Sequence, residues 1–391
     1  MSLIPKLALR NLLGGGLRTW LNVIVLSFSF FTIIFMQGFL KGMYEQLSVA
    51  VVDAEYGGGQ YWQENYDPYD PFKLQDSHGE VAEALSPVID DGKAAPVLII
   101  QGSIYPEGRM LPVLLKGIDP AQQVLALPTE ALGMADIDLP ILIGNRMAKN
   151  TGLALDDYVT VQWRDVNGTF DAIDARIVQV MNTSVPTVDN GQIWVPLARL
   201  QELTGMKNEA TLIVVDQEIE NPVAVNGWTF KTQDYLLTDI LEMVKTKSVG
   251  SSIMYIVLLS LAMLAIFDTQ VLSIFRRRKE IGTLISLGFT RLKVIQLFTL
   301  EGALNGVLAA ILAAIYGYPL LSGIAKNGWA MSEISDSYGF ALGNRLFPTY
   351  SAGLVFGSAV IVLIVTTIVS YLPTRRIAKL KPTDALRGKL S

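Results

Sequence analysis

The sequence predicts an α-helical membrane protein of four transmembrane helices, with a mixed α+β extracytoplasmic domain inserted between helices 1 and 2. Three observations carry this. First, the stretches 19–40, 248–267, 302–325 and 349–372 contain no Asp, Glu, Lys or Arg. About 20 apolar residues span a bilayer core as a helix; a buried core helix explains one such stretch but not four. Second, segment 42–250 is long enough for its own core and holds repeated strand-like runs. Third, charge is sorted along the chain. Flanks 1–18, 276–293 and 373–391 sum to +13, while segment 42–250 sums to −17.

Composition narrows the function. With no Cys and a single His, His78, the 391-residue chain excludes a disulfide scaffold and a thiolate metal site, and leaves little room for a Ser-His-Asp triad. A net charge of −5 argues against a nucleic-acid partner. The mean hydropathy of +0.38 averages membrane spans with an acidic, water-facing domain.

Taken in order, residues 1–19 are expected to be a cytoplasmic amphipathic helix and 20–41 the first span. That span is too long for a signal-peptide core, and no small-x-small cleavage site follows it. Basic flanks stay in the cytoplasm, so both termini and loop 276–293 are placed inside. Segment 42–250 and loop 322–350 are placed outside. Within the outer segment, strands are expected at 96–100, 110–118, 157–163, 175–180, 192–196 and 210–215, with a hairpin turn at Asn167-Gly168. Helices are expected at 145–153 and 196–205, the second capped by Gly205. The stretch YGGGQYWQENYDPYDPF (56–72) reads as a loop, with a carbohydrate- or lipid-contacting surface as the sharper alternative. His78, between Ser77 and Gly79, reads as a solvated loop residue.

From Thr238 onward the chain carries no Pro and only Gly250 before the basic run, so one helix is expected to continue from the outer segment through the second span, 251–275. Residues 276–293 then form a basic cytoplasmic loop, 294–321 the third span, 351–372 the fourth and 373–391 the tail. In the loop, Ile281, Leu284, Ile285 and Phe289 follow helical spacing. Gly288 can stop that helix and Thr290-Arg291 can start the next. A short cytoplasmic helix with an apolar face needs a partner to cover it. Within the membrane, Glu301 and Asn305 share a helix face, and an ionisable residue there faces protein or water. A structural hydrogen bond near the helix of loop 276–293, to Thr299 or a neighbouring span, is the expected role, with a proton or substrate path as the sharper alternative. Gly38/Gly42, Gly302/Gly306 and Gly353/Gly357 have the spacing of close helix packing.

The loop RRRKEIGTLISLGFTRLKVIQLF (276–298) resembles the FtsX-like permease family, whose pattern runs close to R-R-x-E-I-G-x-L-x-A-L-G. Ser286 stands where Ala is usual. The ending YLPTRRIAKLKPTDALRG (371–388) resembles the family's tail, and LALRNLLGGGLRTWLNVIVLSF its start. Segments 116–120, 141–161 and 195–205 resemble the periplasmic core domain of MacB-type and LolC/LolE-type proteins. By size and layout the likeness is closest to the LolC/LolE group.

That resemblance implies the non-catalytic membrane subunit of an ABC transporter. It implies two copies of an ABC ATPase subunit and a second permease protomer that is the same chain or a paralogue, and it allows a periplasmic lipoprotein carrier as a further partner. ATP and Mg would sit on the ATPase, with no cofactor bound by this chain, which has no G-x-x-x-x-G-K-[ST] loop. Arg278, Lys279, Glu280, Ile281, Gly282, Leu284, Ile285, Leu287 and Gly288 would form the coupling helix. Glu301, Asn305, Gly302 and Gly306 would serve polar and packing roles in the membrane. Release of lipoproteins from the outer leaflet of a bacterial inner membrane is the implied role. Activation of a cell-wall hydrolase, as by FtsX, and MacB-like efflux remain as alternatives.

Overall fold

The computed structural model describes residues 3–14, 16–134, 137–183, 185–219, 222–330 and 345–377. It divides into a helical unit (1–43, 243–329 and 346–391) and a sheet unit (44–242 and 330–345). The chain opens with α1 (Leu3–Leu13) and α2 (Leu17–Val51). Next come β1 (Gly59–Gln63), β2 (Ala94–Ile104), β3 (Leu111–Ile118) and β4 (Pro140–Gly144). Helix α3 (Asn145–Thr151) leads to β5 (Tyr158–Arg164), β6 (Phe170–Met181) and β7 (Gln192–Pro196). Helix α4 (Leu197–Thr204), β8 (Leu212–Val215) and β9 (Trp228–Thr232) follow. The long helices α5 (Thr238–Arg276), α7 (Arg291–Asn327) and α8 (Ala352–Ile377) come last, with the short α6 (Arg278–Ser286) between α5 and α7.

Among the described residues, nine strands form one sheet in the order β9-β1-β8-β2-β3-β7-β4-β6-β5. The far end of β2 also pairs with β5, from Gly102 opposite Trp163 to Ile104 opposite Val161. Six strands therefore close into a ring, which leaves no open edge on that part of the sheet. Period-2 alternation fills its interior: along β5, Val159, Val161 and Trp163 are buried while Tyr158 and Arg164 face out. Ile100, Leu115, Ile141, Ile177 and Ile193 meet them from other strands. The remaining strands, β1, β8 and β9, extend the sheet beyond the ring.

The hairpin turn lies where Asn167-Gly168 places it, with Gly168 at φ 86° between β5 and β6. Gly205 ends α4 at φ 77°. Two expectations for the sheet unit fail. Residues 56–72 are not all loop: Gly59–Gln63 is a strand paired on both sides, from Gly59 opposite Val215 to Gln63 opposite Trp228. Its Gly and Gln content hid a strand whose partners lie more than 140 residues away. His78 lies in a loop but is only partly solvated; its side chain is 18% exposed and its Nδ1 pairs with Glu209, beside the short ladder joining Gly79–Glu80 to Glu209–Ala210.

In the helical unit, α2, α5, α7 and α8 are each long and apolar enough to cross a membrane. Val23, Leu26 and Phe30 of α2, Ile266 of α5, Ala309 and Ala313 of α7 and Val362 of α8 form their common core. Phe28, Ile256, Ile315 and Phe356 point outward and are more than half exposed. Apolar surface of this extent on every helix suits lipid rather than water, so this is a membrane protein. The helix expected from Thr238 runs unbroken for 39 residues to Arg276.

Two of the three Gly pairs are close contacts within the chain. A Cβ on Gly38 would lie 2.1 Å from the Tyr350 ring, and one on Gly42 2.3 Å from the Phe347 carbonyl oxygen. Gly302 and Gly306 face Ser370 and Thr366 of α8. Gly353 and Gly357 have nothing within 4 Å, so their spacing carries no packing within the described chain.

Candidate coupling site of the helical unit

Helix α6 is built by three local devices. Arg277 breaks the run from α5 with ψ 18° and opens α6 at Arg278. At the other end Gly288 takes φ 94°, and the Phe289 N–H donates to the Leu284 carbonyl at 3.0 Å, a turn that a side chain at 288 would strain. Thr290 then caps α7, its hydroxyl accepting from the Lys293 N–H at 3.4 Å.

The apolar face of α6 is covered by the chain itself. Ile281, with Ile285 and Phe289 beside it, packs on Ile274 at the end of α5 and on Val294 and Phe298 of α7. The expected need for a covering partner is thus met internally, because α5 and α7 flank the loop on both sides. Gly282 is buried and Leu284 half-buried. Lys279, Glu280 and Gly288 are exposed, and Leu287 is 76% exposed. An outward face with one large apolar residue is left at the C-terminal end of α6.

One ion-pair network holds this helix in place. The Arg277 Nε and Nη2 donate to Glu280 at 2.6 and 2.7 Å. Its Nη1 donates to both Glu301 oxygens, at 3.1 and 3.0 Å. The Phe298 ring lies 4.9 Å beneath the guanidinium. Glu301 accepts a further bond, at 2.7 Å, from the Asn11 side-chain amide of α1. The guanidinium holds the Glu280 carboxyl below the usual carboxylate range, chiefly through its hydrogen bonds and then by charge. The same bonds keep Arg277 firmly protonated.

The structure corrects the expected partner of Glu301. Thr299 instead lies 3.3 Å from Thr374 of α8, hydroxyl to hydroxyl. Asn305, one turn on, donates to the Glu301 carbonyl at 3.2 Å. Its Oδ1, like Oε1 of Gln270, is buried without a partner among the described residues, and both residues line a polar cavity of about 410 Å³ beside the network. Gly302 and Gly306 let α8 come close: added Cβ atoms would sit 2.0 Å from the Ser370 Oγ and 2.8 Å from the Thr366 Oγ1.

Of the residues singled out by sequence, Glu280, Ile281, Ile285 and Glu301 meet in this cluster, with Gly302 and Asn305 adjoining. Sequence reasoning missed Arg277 and Asn11. Arg277 was legible in principle, since it fills the first Arg of the family pattern and has Glu280 at i+3. Within a run of four cations nothing else marks it. Asn11 lies 290 positions from Glu301, and no local pattern connects them.

Residues 252–382 match the family model described as FtsX-like permease C-terminal. The lipoprotein-releasing system transmembrane protein LolC of Neisseria meningitidis serogroup B is 22% identical over 335 residues, covering 75% of this chain and 77% of that protein. An uncharacterised ABC transporter permease of Methanocaldococcus jannaschii is 25% identical over 168 residues, 41% of this chain and 40% of that one. The extracellular domain of the ABC-type transporter YknZ from Gram-positive bacteria aligns at a TM-score of 0.25 and 10% identity, covering 41% of this chain and 83% of that one. The chain is thus similar to ABC transporter permeases, and its likeness to FtsX-like permeases lies in residues 252–382.

Proposed function

We propose that this chain is the membrane subunit through which a separate ABC ATPase drives the release of lipoproteins, or a similar amphiphile, from the outer leaflet of a bacterial inner membrane. Supporting this reading is the seating of α6. Its apolar side rests on α5 and α7, and its polar side is tied through Arg277 to Glu280 and Glu301. A helix so fixed can pass a push to the spans instead of absorbing it. ATP and Mg bind the ATPase; this chain supplies α6 as its docking element, with Leu287 exposed for contact. Two ATPase subunits serve a pair of permease protomers. The sheet unit faces the periplasm and α5 carries the motion outward, at 39 residues about 58 Å long. LolC homology over three quarters of the chain favours lipoprotein as cargo.

The test is ATP hydrolysis by the complex purified with its ATPase and reconstituted in lipid. Glu280→Ala, Gly282→Trp and Leu287→Glu should each lower stimulated hydrolysis at least tenfold. Leu287 is exposed, so its variant folds normally. Wild-type stimulation in all three would refute the role of α6.

A further inference from the structure

The sheet unit holds a cavity of about 560 Å³ that the permease role does not use. Volumes of this size accept small organic molecules. Its wall is unusual in charge. Among the described residues, Glu55, Asp67, Asp70, Asp239 and Glu242 line it, against one lining cation, Lys116. Lys116 is already committed: its Nζ is 2.6 Å from Glu55 and 5.1 Å from the centre of the Trp194 ring. Lys73 approaches Asp70 only at 3.6 Å, from an exposed position. The wall therefore presents net negative charge in a partly enclosed space, where water screens it less than on an open surface.

The second feature is aromatic. Trp62, Tyr66, Tyr69 and Tyr235 also line the cavity. Trp62 meets Tyr66 edge-on at 5.1 Å and Tyr235 at 6.1 Å. Lys231 places its ammonium 5.4 Å from the Trp62 ring and 4.7 Å from the Tyr235 ring, so these rings already take part in cation–π contact.

The third feature points to a ligand. Gln192, at the start of β7, lines the cavity and is only 6% exposed. Its amide nitrogen donates to Glu55 at 3.3 Å, which fixes the orientation of the amide, since the reverse would set two acceptors against each other. Its Oε1 is buried and has no partner among the described residues. An orphaned buried acceptor costs free energy unless a donor reaches it.

We infer that this cavity binds a small organic amine: a ligand with positive charge, N–H donors for Gln192, and a carbon frame that lies against Trp62 and Tyr235. Charge alone would admit a metal ion or a quaternary ammonium. The orphaned acceptor and the aromatic wall together select an ammonium that carries hydrogens. The amine site does not rest on the transport role, although Thr238, Asp239 and Glu242 of its lining stand at the start of α5.

Spermidine is the probe, with hexamethonium as its quaternary counterpart and maltose as a neutral control. Titration of the full chain in non-ionic detergent, followed by Trp fluorescence and calorimetry, should show saturable spermidine binding. Asp239→Asn and Glu242→Gln lie at exposed positions and should each weaken it at least tenfold. Glu218→Gln, exposed and outside the cavity, should not. Gln192→Leu should abolish the preference for spermidine over hexamethonium. The proposal is overturned if spermidine fails to saturate at millimolar concentration, if the Asp239 and Glu242 variants bind like wild type, or if maltose binds as tightly. The last result would make the site one for carbohydrate.

Discussion

Replacing Arg277 with Ala should free α6 from its seat. Arg277 makes two kinds of contact. The bonds to Glu280 end on a carboxylate 49% exposed, and such a pair is worth less than about 1 kcal/mol. The bonds to Glu301 end on a side chain only 8% exposed, with Arg277 itself at 21%. Removing one partner of a buried pair leaves an uncompensated charge and costs about 3 kcal/mol. Asn11 remains as a donor to Glu301 but carries no charge to offset it. At 1.36 kcal/mol per decade, about 3 kcal/mol raises local opening on the order of 100-fold. Hydrogen exchange of the α6 amides reads this directly. The double variant Arg277→Ala/Glu301→Gln should recover much of the protection, because a neutral amide leaves no buried charge behind. Exchange within threefold of wild type in the single variant would refute the anchoring role, and so would a double variant no better protected than the single.

Gly302→Val should separate α7 from α8, since its Cβ would fall 2.0 Å from the Ser370 Oγ. Overpacking of this kind costs about 1–3 kcal/mol and should lower the melting temperature in detergent, whereas Gly353→Ala, with open space around it, should leave it unchanged. Thr290→Ala removes the cap of α7 and should cost about 1 kcal/mol, seen as faster exchange at the Lys293 amide. The Glu280–Arg277 pair should protect α6 at neutral pH, because the folded carboxyl titrates below the unfolded one. Its contribution is complete above the usual carboxylate range and is lost as pH falls through the lowered folded value. Exchange corrected for its intrinsic pH dependence should show this loss in wild type and not in Arg277→Ala.

The long elements were readable because their causes are local. Charge-free apolar stretches predicted α2, α5, α7 and α8, and runs rich in β-branched and aromatic residues predicted β5 and β7 nearly to the residue. Turn chemistry at Gly168, Gly205 and Gly288 acts within a few residues, and all three positions behave as the sequence suggested. What failed was non-local. The strand Gly59–Gln63 has weak intrinsic preference and exists because β8 and β9 flank it. Closure of the ring by β2 and β5 leaves no trace in either strand's pattern. In the site, the apolar face of α6 was legible but its cover was not, since Ile274 and Val294 lie outside the loop. The charge on Glu301 announced a partner without saying which of several cations it was.

The two ways in which α6 is held constrain different motions. Apolar packing of Ile281 on Phe298 has no preferred direction and resists lifting more than sliding. The fork of Arg277 on Glu301 is directional and resists sliding and rotation. Acting together they leave α6 few independent degrees of freedom. Because Glu301 is also gripped by Asn11, a shift of α6 along its axis carries α7 and α1 with it. Helix α1, hundreds of residues away in the chain, thus shares a single pivot with the neighbouring α6 and α7.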